Sequence, residues 1–248
     1  MNKPSDNRPT LRRGMWMMLP STDLAETASA EGFDFVALDM QHGYIENADV
    51  VAMTRAVRNA GAAQVAVRVQ EARFTDLGKA ADAGVDTLVV PLVSSAEQAA
   101  ECVRAIHYPP SGVRSFGPSA EVIAGTPDPT DRNMRPELLL MVENIAGLEA
   151  LEGICATEGV DGIFVGPSDL AFAVGELPGA ASERLEETIE HIRHITASHS
   201  LVSGIHCLSG SDAARRIDQG FTYVIASVDA ISARNAFRAD LEASRAAG

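Results

Sequence analysis

Eight short apolar runs rich in Val, Ile and Leu recur along this chain, and amphipathic stretches lie between them. The runs are GMWMML from Gly14, FDFVALDM from Phe33, QVAVRV from Gln64, DTLVVPL from Asp86, LLLMVEN from Leu138, GIFVGP from Gly162, LVSGIHC from Leu201 and TYVIAS from Thr222. A strand that is apolar almost throughout is buried on both faces, as in a parallel sheet covered by helices. The intervening stretches carry helix signals. In STDLAETASAEG, Ser21, Thr22 or Asp23 is available as N-cap and Gly32 as terminator. SSAEQAAECVRAIHY opens on Ser94 or Ser95 and stops at Pro109 and Pro110. Eight strand–helix units in 248 residues, with no mid-chain linker, predict a single-domain α/β fold, the (β/α)8 or TIM barrel. The barrel is expected over 14–248, behind a flexible polar tail at 1–13. An open doubly wound sheet is the alternative, but no G-x-G-x-x-G follows the first run. The stretch from Tyr108 to Arg135 breaks the alternation, and so long an irregular connection is expected to be functional.

Charge and composition exclude several functions. The formal net charge is −14, and lysine occurs only at Lys3 and Lys79. Such a field repels phosphate backbones and anionic membranes, so neither nucleic acid nor a lipid surface is an expected partner. The apolar MWMMLP is too short for a signal-peptide core or a membrane span. Cys102, Cys155 and Cys207 are odd in number and share no C-x-x-C spacing, which suggests buried, reduced thiols in a cytoplasmic protein. No G-x-S-x-G elbow, Walker loop or H-E-x-x-H is present. Lys79 falls on the helix before the fourth strand and Lys3 in the tail, so neither is placed to form an imine with a carbonyl substrate.

In a (β/α)8 barrel the active site lies at the C-terminal ends of the strands, and the polar residues there are Asp39, His42, Arg68, Glu143, Asp169 and His206. Glu143 and Asp169 follow neighbouring strands and can converge on one hard dication, Mg2+, Mn2+ or Co2+, rather than on structural zinc. Each also has a plainer reading, as an acid in the first turn of a helix. In GPSDL, Gly166 permits close backbone approach, and Ser168 opens a helix whose N-terminus suits a substrate carboxylate. Asp39 and His42, three residues apart, suit a general base with its tautomer fixed by a carboxylate; the alternative is a polar turn with a surface histidine. Arg68 can stabilise an oxyanion at the barrel mouth or serve in an ion pair with Glu71 or Asp86. Trp16 and His206 are candidates for substrate contact, with a core tryptophan and a structural histidine as their alternatives. His191, His194 and His199 read as solvated surface on a polar helix.

Taken in order, LDMQH, VRV, VVPLV, YPPSGVRSFGP, MVEN and FVGPSDLA make the chain resemble the HpcH/HpaI aldolase family from about Gly14 to the last helix. These are the class II pyruvate aldolases of the phosphoenolpyruvate/pyruvate barrel superfamily. The resemblance implies a lyase that makes and breaks carbon–carbon bonds in 4-hydroxy-2-oxo acids, through the enolate of pyruvate or hydroxypyruvate and an aldehyde. It implies that Glu143 and Asp169 bind the divalent metal and that Arg68 contacts the pyruvyl oxygen. It further implies that His42, oriented by Asp39, moves protons together with metal-bound water, and that Gly166 and Ser168 border the substrate carboxylate. The assembly it implies is a hexamer, a trimer of dimers that exchange the last helix. Two positions depart from the form common in this family: Met141 stands where many members carry Gln, and His206 where many carry an aliphatic residue. A CoA-thioester lyase of the citrate or malyl-CoA type shares the barrel and the paired acids, but it calls for a basic surface that this chain lacks. A non-catalytic barrel scaffold is the third reading.

Overall fold

The computed structural model of the protein describes residues 9–125, 135–179 and 182–245. The elements run β1 (Arg12–Met17), α1 (Thr22–Ala30), β2 (Phe35–Asp39), α2 (Asn47–Ala60), β3 (Gln64–Arg68), α3 (Phe74–Asp82), β4 (Thr87–Val90) and α4 (Ala96–Ile106). They continue with α5 (Ser119–Ala124), β5 (Glu137–Met141), α6 (Ile145–Glu149), α7 (Leu151–Cys155), β6 (Gly162–Val165) and α8 (Pro167–Ala173). The last are α9 (Glu183–Ser198), β7 (Val202–Ile205), α10 (Gly210–Gln219), β8 (Tyr223–Val228) and α11 (Asp229–Arg245). The strands pair in sequence order, all parallel, and β8 returns to β1, so the expected eight-stranded barrel is present and closed.

Alternation along each strand explains the near-continuous apolar runs. Phe35, Ala37, Ala66, Val89, Leu139, Phe164 and Tyr223 form one buried cluster that fills the barrel. Their strand neighbours Val36, Leu38, Val65, Val67, Leu88 and Val90 belong to a second cluster, shared with the helices. Each large side chain buried in this way contributes roughly 1.5–3 kcal/mol relative to exposure. Register then sets the heights of the polar residues at the strand ends. Asp39 pairs with Arg68 across β2 and β3. Met141 pairs with Phe164, and Val165 with Ile205, which brings Glu143, Gly166 and His206 to about one level.

The barrel begins two residues earlier than the sequence pattern suggests. Arg12 and Arg13 belong to β1, and the Arg12 backbone N–H donates to Thr222 O at 2.7 Å. A charged pair opening a strand hides it from hydropathy, yet the Arg12 guanidinium has a partner inside the fold. Its Nη1 and Nη2 each donate at 2.8 Å to the Glu137 carboxylate, and its Cζ lies 4.5 Å from the centre of the Tyr223 ring. Residues 1–8 of the expected tail lie outside the described residues.

The described part of the irregular stretch after α4 is anchored to the end of α3. The stretch joins a helix to the following strand, so its described part lies at the end of the barrel opposite the strand C-termini. There Arg114 is buried and donates to Asp82 at 2.7 Å, and the Ser119 hydroxyl donates to Asp82 O. These contacts fasten the connection to the end of α3; residues 126–134 lie outside the described residues. At the other extreme, α11 leaves the barrel after its first turns, and Phe237 is 71% exposed.

Replacing Arg12 by Ala leaves Glu137 without its fork, a loss of about 2 kcal/mol for a half-buried pair, equivalent to a Tm lowered by roughly 4–8 °C. Arg13→Ala, at an exposed side chain, is expected to stay within about 0.5 kcal/mol of the parent. Equal melting of the two variants by circular dichroism would remove the Arg12 fork from the account of the fold.

Candidate active site

A cavity of about 190 Å3 opens at the C-terminal end of the strands, and all nine site residues expected from the sequence line it: Trp16, Asp39, His42, Arg68, Glu143, Gly166, Ser168, Asp169 and His206. They come from six strands or the loops that follow them, so closure of the barrel alone assembles them.

Asp39 and Arg68 form the tightest polar contact of the site. Arg68 Nε donates to Asp39 Oδ1 at 2.8 Å and Nη2 to Oδ2 at 2.6 Å, and both residues are buried. Trp16 Nε1 donates to the same carboxylate at 3.2 Å, and the Arg68 Cζ lies 4.9 Å from the Trp16 ring centre. Burial by itself raises the Asp39 pKa, but the Arg68 hydrogen bonds and charge, with backbone N–H groups of His42 and Gln41, bring it below the ordinary carboxylate range. The expectation that Asp39 fixes the His42 ring is therefore corrected. Asp39 Oδ1 accepts from the backbone N–H groups of Gln41 and His42 at 3.0 and 3.2 Å, which shapes the turn carrying His42, while the carboxylate plane faces Arg68. The reason is register: residues paired across β2 and β3 meet more readily than residues three apart in a turn. The alternative partners considered for Arg68 are engaged elsewhere, Glu71 with Arg73 and Asp86 with Arg58.

Glu143 is held by one oxygen and left open at the other. Its Oε1 accepts from the Leu92 backbone N–H at 3.0 Å, whereas the buried Oε2 accepts no hydrogen bond. Burial pushes its pKa up to about 7; the Leu92 N–H opposes this and the charge of Asp169 adds to it. Leu92 sits in the left-handed region at φ 57, which a leucine adopts only under constraint. Asn144 braces the next position by capping α6 at Gly147 N and donating to the Ser94 hydroxyl at 2.9 Å.

A desolvated acid with an orphaned oxygen beside a second acid is the donor set of a hard dication, which would neutralise both charges and give Oε2 its partner. The residues present thus fit a divalent metal. Among the described residues no group of three or more His, Cys, Asp or Glu is placed to hold a metal ion by itself. A dication on Glu143 and Asp169 would therefore complete its shell with water and substrate oxygens.

Gly166 leaves space for the tips of two neighbouring side chains. Its φ is −99, open to any residue, but a Cβ there would overlap Glu143 Oε2 and come within 2.9 Å of Met141 Cε. Ser168 and Asp169 follow in the first turn of α8. The walls are apolar, with Met141, Phe164 and Val228 beside Trp16. His206 sets its ring edge-on to Trp16 at 5.0 Å; burial and then the Arg68 charge lower its pKa to about 4, so the imidazole is neutral at neutral pH.

The sequence reading missed two residues that shape the site. Leu92 aims a backbone donor, which no side-chain pattern reveals, although VVPLV was among the motifs. Asp229, just past the last apolar run, accepts from the backbone N–H groups of Met18, Leu19 and Ala230 at 3.0, 2.9 and 2.6 Å and ties the loop after β1 to α11.

Comparison with known proteins places the chain in a family. A family model described as HpcH/HpaI aldolase/citrate lyase matches residues 12–236. The chain is 34% identical over 219 residues to a 5-keto-4-deoxy-D-glucarate aldolase of Klebsiella pneumoniae, covering 87% of this chain and 85% of that protein. It is 33% identical over 232 residues to the enzyme of that name from Salmonella paratyphi A, covering 92% and 89%. A solved HpcH/HpaI aldolase/citrate lyase family protein from Burkholderia cenocepacia superposes with a TM-score of 0.90 at 27% identity, over 97% of this chain and 96% of that one.

Gly166→Ala tests the close approach. The added methyl group displaces the Glu143 carboxylate, so Mn2+ affinity measured by titration is expected to fall at least 10-fold, a modest loss for a site with two carboxylates. The far-ultraviolet spectrum is expected to stay native. Unchanged Mn2+ affinity would separate Gly166 from the acid site.

Proposed function

The chain belongs to the HpcH/HpaI aldolase/citrate lyase family and is an aldolase, a carbon–carbon lyase, and on that footing we propose that it cleaves 4-hydroxy-2-oxo acids to pyruvate or hydroxypyruvate and an aldehyde, and joins them in reverse. The observation that carries this reading is the buried, unpartnered Oε2 of Glu143 beside Asp169, in a pocket that also holds a locked guanidinium. Glu143 and Asp169 hold Mg2+, Mn2+ or Co2+, and a bound dication supplies Lewis acidity that makes the C3 protons of a 2-oxo acid easier to remove.

The protein's own residues account for the remaining steps. His42, exposed at the mouth on a turn anchored by Asp39, takes the proton from C3. The electron pair of the broken C–H bond forms the C2–C3 double bond, and negative charge gathers on the 2-oxo oxygen. Arg68 faces that charge with the donors its fork to Asp39 leaves over, and the fork fixes the guanidinium before the charge arrives. C3 then attacks the aldehyde carbon with the electron pair of the C2–C3 double bond as the C2 carbonyl reforms, and the aldehyde oxygen takes the proton that His42 holds. Gly166 and Ser168 border the substrate carboxylate, while Trp16, Met141 and Phe164 keep bulk water away.

The proposal extends to assembly through α11. Its outer turns expose Phe237 and Leu241, and we assign this stretch to a neighbouring subunit, in a hexamer built as a trimer of dimers with exchanged helices. No helix among the described residues is long and apolar enough to cross a membrane. Cytoplasmic residence is part of the same proposal, supported by three free, buried thiols.

Methyl protons of pyruvate are expected to exchange with deuterated water when the protein holds Mg2+, Mn2+ or Co2+ and no aldehyde is present, with loss on chelation and recovery on adding metal. Arg68→Lys is expected to slow exchange on the order of 100-fold, because a point charge cannot keep the fork to Asp39 and face the oxyanion as well. Absence of exchange with every metal, together with cleavage of a CoA thioester, would replace the aldolase with the lyase. Sedimentation at micromolar concentration is expected to show a species well above the 26.2 kDa of one chain. A monomer alone would refute the exchanged helix.

A further inference from the structure

Resting on the aldolase reading above, we propose that Asp229 is a positioning residue for His42, acting from the start of α11 through the peptide group between Met18 and Leu19. His42 is exposed, so the backbone of its turn decides where the imidazole stands at the mouth. That turn has two anchors. At the near end Asp39 Oδ1 accepts from the Gln41 and His42 N–H groups, and Asp39 is itself gripped by Arg68. At the far end the Tyr44 N–H donates to Met18 O at 2.8 Å, and Ile45 after it is buried. Gly43 lies so near the loop after β1 that a Cβ there would stand 2.9 Å from Met18 O and 3.1 Å from Met18 Cα, as well as 2.3 Å from Asp39 O. The backbone at Met18 is therefore the floor on which the turn rests.

Asp229 holds this floor from the other side. Its carboxylate is 3% exposed, and three backbone N–H groups converge on it: Met18 and Ala230 donate to Oδ1 at 3.0 and 2.6 Å, and Leu19 donates to Oδ2 at 2.9 Å. The Leu19 N–H and the Met18 carbonyl belong to one planar trans peptide and point in opposite directions. One rigid group thus donates to Asp229 and accepts from Tyr44, with no soft torsion between the two contacts. Movement at the carboxylate reaches the His42 turn directly. The side-chain type matters too, because both oxygens of a carboxylate accept, whereas an amide would turn its NH2 group towards one of the N–H donors. Met18, Val228 and Ile231 line the same cavity as His42, so this link runs along one wall of the site.

The test uses the full-length protein with Mn2+ and follows exchange of the pyruvate methyl protons with deuterated water. Asp229→Asn, nearly equal in shape, is expected to lower kcat roughly 10-fold by displacing the base, with KM for pyruvate and Mn2+ affinity unchanged. In a His42→Ala background the same substitution is expected to add no further loss, because residues that act through one another are not additive. Arg12→Ala, at the opposite end of the barrel, controls for general weakening of the fold and is expected to leave the rate little changed. Amide hydrogen exchange without substrate reads the turn itself: residues 40–45 are expected to exchange about 10-fold faster in Asp229→Asn and as in the parent in Arg12→Ala. If Asp229→Asn fails to fold, Asp229→Ser, which leaves room for water at the same donors, takes its place with the same expected pattern. An unchanged kcat, an equal loss with and without His42, or turn amides indifferent to Asp229 would overturn the proposal. A parent that exchanges no pyruvate protons would overturn the aldolase reading, while the turn amides still decide the link to Asp229.

Discussion

Closure of the sheet fixes the height of every strand end relative to its neighbours, and the site depends on that registration. Parallel strands that pair around a full circle cannot slip one at a time, because a shift in one would break ladders on both sides. Asp39 stands beside Arg68, and Glu143 level with Gly166, as a result of the pairings at 39/68 and 141/164. The helices cover the outer cluster and make the pairing obligatory by burying both faces of each strand. Polar groups at the mouth inherit a precision that their own loops would not supply.

Against that frame, the mouth divides its charges into two kinds. The Asp39–Arg68 pair is fully matched: two guanidinium hydrogen bonds, an indole donor and two backbone donors meet one carboxylate. Such a pair resists rearrangement, since removing either partner leaves an uncompensated buried charge worth about 3–5 kcal/mol. Glu143 is the opposite case, with one oxygen served by a strained loop and the other by nothing. A rigid cation beside an underserved anion is how a pocket can hold its electrostatics ready while still leaving a place for a ligand.

Much of this was legible in the sequence, and the misses have physical causes. The eight strands are visible because burial on both faces writes them as apolar runs, and the site residues because barrel geometry sends strand-end polar groups to a common mouth. Arg12 escaped because a strand that starts with charge looks like tail until its partner, 125 positions away, is known. The role of Asp39 was misread because chain proximity favoured His42, whereas the side chain obeys the neighbouring strand. Leu92 acts through a backbone N–H, on which its side chain says nothing. The length of the connection from Tyr108 was informative, but its position after a helix, not after a strand, decides which end of the barrel it occupies.

Pairing of the first strand with the last also dictates when this protein can become itself during synthesis. β1 leaves the ribosome early, yet its ladder partner spans Tyr223–Val228 and the carboxylate that fastens the loop after it is Asp229. Until those residues emerge, one side of β1 and one side of β7 are bare edges, and most of the interior cluster faces water. Closing a loop of more than two hundred residues is slow but only modestly more unfavourable than closing a short one, since that entropy grows with the logarithm of length. The nascent barrel is therefore an open, sticky sheet for most of its translation, and the last strand acts as its latch.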